Sequence, residues 1–81
     1  MAVETASYLA AAKRFIRAAG KRVADADEVE LAQLLELQST VEEAIQTAVD
    51  GQRARGKSWA YIALATGKTR SAAFQRWGGT K

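Results

Sequence analysis

The sequence predicts an all-α protein: an N-terminal helical hairpin followed by a C-terminal helix-turn-helix, four to five helices in a single domain. Three observations carry this reading. Proline is absent and alanine abundant, so only glycine interrupts a helix. Apolar side chains recur at three- and four-residue steps over most of the first fifty residues. Near the C-terminus, Ser58, Gly67 and Thr69 fall where two short helices need a cap, a left-handed turn and a second cap.

The first helix is expected over Glu4 to about Val23, with Leu9, Ala12, Ile16, Ala19 and Val23 lining one face. Tyr8 and Phe15 widen that stripe, and Lys13, Arg14, Arg17 and Lys21 lie largely outside it. Gly20 is either a C-cap or tolerated in the last turn. Ala24 to Asp27 reads as a turn, with Asp25 or Asp27 as cap and Glu28 and Glu30 suited to a helix N-terminus.

The second helix is expected from about Asp27. Leu34, Leu37, Val41, Ala44 and Ala48 step 3-4-3-4, the seam of a coiled coil. Val29, Leu31, Leu35, Ile45 and Val49 make a neighbouring face apolar as well. One face suits the first helix; the other needs the C-terminal module or a second copy of the chain. Ser39-x-x-Glu42 and Thr40-x-x-Glu43 fit a capping box, so a fresh helix could begin near Thr40. A single long helix ending near Arg55, with Gly56 as terminator, is the preferred reading.

In the last segment Ser58 caps a helix from Trp59 to Thr66, and Thr69 caps another from Arg70 to about Trp77. Ile62, Ala63, Ala73 and Trp77 form the inward face, and Trp59 and Leu64 are expected to seat the module on the upstream helices. Ala63, four residues before Gly67, keeps the two helices close.

Charge divides the chain at the same place. Residues 1–50 hold five basic and nine acidic side chains, a net of −4; residues 51–81 hold seven basic and no acidic ones, or +7. The hairpin is therefore assigned to 4–50, for packing and dimerisation, and the basic module to 51–81. A basic end with helix-turn-helix spacing is the footprint of duplex DNA binding. Arg70, Ser71, Phe74 and Gln75 fall outward on the second helix, where they can reach base edges in the major groove. Arg pairs with guanine, Gln with adenine, and Phe touches a thymine methyl. Arg53, Arg55, Lys57, Ser58, Lys68, Thr69 and Arg76 are the candidates for phosphate contacts. Phe74 either folds under its helix as core or lies exposed, and Tyr61 is a packing residue or a phosphate donor.

Other chemistry is not expected. With no Cys and no His there is no disulfide, conventional zinc site or imidazole base, and no cofactor is implied. Gly67-Lys68-Thr69 ends like a phosphate-binding loop, but Ile62 stands where the leading glycine would be and no strand precedes it. An enzyme is therefore not expected. The opening residues lack a signal-peptide pattern and no apolar run could span a membrane, so a soluble, cytoplasmic, nucleoid-associated product is expected.

The run Gly-x-Ser-Trp-Ala-x-Ile-Ala-x-x-x-Gly-x-Thr-Arg-x-Ala-Ala-x-x-Arg-Trp-Gly, from Gly56 to Gly78, resembles a helix-turn-helix of small actinobacterial and actinophage proteins. It is also similar to the DNA-binding part of sigma factor region 4. The resemblance covers about the last forty residues and implies that the second helix reads the major groove while the first crosses the backbone. Lys68 stands where that pattern usually has a buried Val or Ile, and Thr66 where it usually has Leu. The turn should be less well packed, with Lys68 directed to solvent or phosphate.

The expected function is double-stranded DNA binding by a bacterial or phage transcriptional regulator, homodimeric through the helix at 27–49. Two other readings stand beside it: a protein-interaction module docking on RNA polymerase or another regulator, and a phage DNA-recognition or packaging subunit.

Overall fold

The computed structural model describes residues 2–79. They form four helices: α1 (Ala2–Ala24), α2 (Glu28–Ala54), α3 (Trp59–Thr66) and α4 (Arg70–Trp77). The chain divides into two compact units, Met1–Ser39 and Thr40–Lys81. No described helix is long and apolar enough to cross a membrane.

The first unit contains α1 and the opening turns of α2. Gly20 lies inside α1, and the helix ends through amides of the following link, Asp25 N–H to the Arg22 carbonyl (3.1 Å) and Ala26 N–H to the Val23 carbonyl (2.9 Å). Asp27 opens α2, its carbonyl accepting from the Leu31 amide at 3.1 Å. Ala12, Ala19, Val23 and Leu34 are half-covered, whereas Tyr8, Leu9, Phe15, Ile16, Val29, Leu31 and Leu35 are exposed. None of the described residues of this unit is buried.

The helix α2 runs through Thr40 unbroken, so the capping-box residues lie mid-helix. It stops where Gly56 adopts φ +94°, in a Schellman arrangement. The Gly56 amide bonds the Arg53 carbonyl (2.9 Å) and the Lys57 amide the Gln52 carbonyl (3.1 Å).

The second unit carries the core. Val49 of α2, Ile62 and Ala63 of α3, and Ala73 and Trp77 of α4 are buried together, with Ile45 and Trp59 packed against them. Full burial of a side chain such as Ile62 stabilises by about 1.5–3 kcal/mol, and the alanines let three helices meet. Two polar ties add register. Gln46 Nε2 donates to the Trp77 carbonyl at 2.8 Å and to Asp50 Oδ1 at 3.0 Å. Arg76 pairs with Glu42.

Leu64 departs from expectation: it does not seat the module and is 84% exposed. With about 100° between successive helical residues, Ile62 and Ala63 occupy the covered face and Leu64 falls beyond its edge. The 45/49 face of α2 does that seating instead. Ala44 and Ala48, from the other apolar row, stay exposed.

Candidate nucleic-acid interface

Each short helix is set by its cap. Ser58 is extended (φ −79°, ψ 163°) and its Oγ accepts from the Tyr61 amide at 3.0 Å. Thr69 repeats the device, with φ −73°, ψ 162° and Oγ1 accepting from the Ala72 amide at 3.1 Å. Between them Gly67 takes φ +73°, a left-handed conformation costly to any residue with a Cβ. The Lys68 amide then turns back to the Ala63 carbonyl at 3.0 Å. Both capping hydroxyls keep a proton to donate outward.

With Ala73 and Trp77 committed to the core, α4 presents two rows one turn apart: Ser71 with Gln75, and Arg70 with Phe74. All four side chains are exposed. Phe74 is not folded under its helix: its ring is half exposed and meets the Trp59 ring edge-on, centroids 5.5 Å apart and planes at 87°. Trp59, Arg70, Ser71 and Phe74 line an open recess of about 290 Å³. Gly78 permits this packing, since a Cβ there would stand 2.8 Å from Trp59 Cζ2 and 2.9 Å from Phe74 Cδ1.

The cations around this surface are held differently. The Arg53 guanidinium lies 4.8 Å from the Trp59 ring centroid and donates to the Lys57 carbonyl at 2.8 Å. Lys57 Nζ sits 4.9 Å from the Tyr61 ring centroid, so Tyr61 serves as a platform for a cation. Lys68 Nζ stands 5.7 Å from the Trp77 ring centroid on an exposed side chain, in line with the departure read at the turn. Thr66 Oγ1, in place of a larger apolar group, donates to the Ile62 carbonyl at 2.8 Å. Arg55 and Arg70 are exposed and make no ion pair with any described residue.

Arg76 is the phosphate candidate that is already engaged, because Glu42 neutralises it. That carboxylate comes from α2, thirty-four residues away, and no spacing rule in the sequence could have pointed to it. Trp59 as a wall of the recess was also missed; its nearness to Phe74 depends on how α3 and α4 cross. Trp77 Nε1 is buried with no hydrogen-bond partner among the described residues.

Arg70, Ser71, Phe74 and Gln75 thus share the exposed face of one helix. Ser58 with Lys57, and Thr69 with Lys68, mark the N-termini of α3 and α4, and Arg53 and Arg55 the end of α2. Comparison with known proteins returns no matching family model, no matching curated protein and no matching solved structure.

Proposed function

We propose that the C-terminal module binds double-stranded DNA, with α4 lying in the major groove. The observation that carries this reading is an eight-residue helix whose exposed outer rows are Arg70, Ser71, Phe74 and Gln75, in a segment, residues 51–81, without Asp or Glu. An α-helix with its side chains is about 10–12 Å across, which fits a major groove roughly 12 Å wide. Arg70 and Gln75 supply donors suited to purine edges, and the Phe74 ring suits a thymine methyl. Lys57, Ser58, Lys68 and Thr69 lie at the two helix N-termini, where amides and dipole favour phosphate. Arg53 and Arg55 extend the same electrostatic surface.

One short helix covers only a few base pairs, so selective binding calls for two copies on half-sites about one helical turn apart. The role that fits is transcriptional regulation in a bacterium or phage, acting at the nucleoid.

The test is selection from a random duplex library at two salt concentrations. A retained palindromic motif supports a dimeric, sequence-selective binder. Weak binding at every salt concentration would refute the reading and leave docking on a protein partner, for which the aromatic floor of the Trp59 recess is the natural seat.

A further inference from the structure

We propose that a second copy of this chain covers the exposed apolar surface of the first unit, joining α1 and the opening turns of α2 from each copy into a four-helix core. This narrows the dimer contact anticipated along the helix at 27–49 to its opening turns and adds α1 to it. The 45/49 face of α2 is already committed to the chain's own module, while the apolar positions further upstream are uncovered.

The first unit is short of burial. Among the described residues, all the buried ones belong to the second unit, and α1 and the start of α2 hold none. In proteins most of a helix's stability comes from packing its amphipathic face, and here that face is largely bare. Tyr8 is 77% exposed, Phe15 76%, Leu9 59%, Ile16 46%, Leu31 59% and Leu35 63%. Tyr8 and Phe15 are seven residues apart, as are Leu9 and Ile16, so the two pairs form parallel rows flanking the half-covered Ala12 and Ala19.

Area and charge both favour a second copy. Taking roughly 200 Å² for a fully exposed large apolar side chain, those six leave on the order of 750 Å² bare. A standard stable interface buries about 800 Å² per partner. The unit is also electrically near balance: α1 carries Lys13, Arg14, Arg17, Lys21 and Arg22 with Glu4, and Asp25, Asp27, Glu28, Glu30 and Glu36 follow it. Two copies can therefore meet with basic stretches facing acidic ones. An anionic lipid surface, by contrast, would be opposed by the acidic stretch.

The mass of the full chain in solution decides this without reference to DNA, so its outcome is separable from that of the DNA-binding reading. Sedimentation equilibrium should give twice the 8.7 kDa chain mass at micromolar concentration. The wild-type thermal midpoint should rise with protein concentration. Tyr8→Glu with Phe15→Glu should raise the dimer Kd roughly 100-fold, whereas Leu64→Glu, on an equally bare side chain outside the patch, should leave the mass unchanged.

A monomer at all concentrations overturns the proposal. So does a concentration-independent midpoint, which reads the wild type alone and holds even if a variant misfolds. A dimer broken by Leu64→Glu but not by the double variant, or a monomer that binds vesicles of anionic phospholipid, overturns it as well.

Discussion

Adding one methyl group at Gly78 should disturb both the stability and the recognition surface of the module, and its size can be worked out from three distances. An alanine Cβ would lie 2.8 Å from Trp59 Cζ2, 2.9 Å from Phe74 Cδ1 and 2.9 Å from the Phe74 carbonyl oxygen. Carbon atoms in favourable contact sit about 3.5–4.0 Å apart. The backbone itself accepts alanine, since φ is −102° and ψ −17°. The unfolded chain would lose freedom on substitution, which favours the folded state by about 0.4–1 kcal/mol. Against this, displacing packed rings costs about 1–3 kcal/mol. The clash wins, and Gly78→Ala should destabilise by about 1–2 kcal/mol. That is a large share of a chain whose whole stability is on the order of 4–12 kcal/mol.

The chain's two tryptophans, Trp59 and Trp77, both lie in the module, so their fluorescence during urea unfolding reports on it directly. With a slope near 1 kcal/mol/M the midpoint should fall by roughly 1–2 M. Gly79→Ala, whose Cβ meets nothing within 4 Å, serves as the control and should leave the midpoint in place. A Gly78→Ala midpoint equal to or above wild type would refute the argument that Gly78 exists to admit the Trp59 and Phe74 rings.

Further tests address the caps and the charges. Thr69→Ala removes the acceptor for the Ala72 amide and should cost about 1 kcal/mol, read as a lower urea midpoint, with Thr69→Ser restoring most of it. Glu42→Gln should release Arg76 for phosphate: the exposed pair stabilises by less than about 1 kcal/mol, so the urea midpoint should barely move. DNA affinity should rise and the salt slope steepen by about 0.9. An unchanged slope would mean Arg76 does not approach DNA. Arg70→Ala should cost about 1–3 kcal/mol at the preferred site and relax base preference. Lys57→Ala should weaken all sequences about equally and flatten the salt slope by about 1. Library selection with each variant separates these two behaviours.

Local spacing determined the module's elements. The bounds of α3 and α4 follow from Ser58, Gly67 and Thr69, because a cap bonds an amide two or three residues away and a left-handed turn needs glycine where it occurs. The inward set Ile62, Ala63, Ala73 and Trp77 was legible for a similar reason: helical periodicity assigns a face within a single helix. The same logic read α2 as one helix ending before Gly56. Tertiary structure alone decided which of the two apolar rows of α2 is covered, and so brought Val49 into the core and left Ala44 and Ala48 outside. It also decided that Leu64 faces outward, that Glu42 claims Arg76, and that Gly78 admits the Trp59 and Phe74 rings. Each of these depends on the rotation of one helix against another, which is set by the volumes and polar partners that meet at the crossing and is encoded in no single helix.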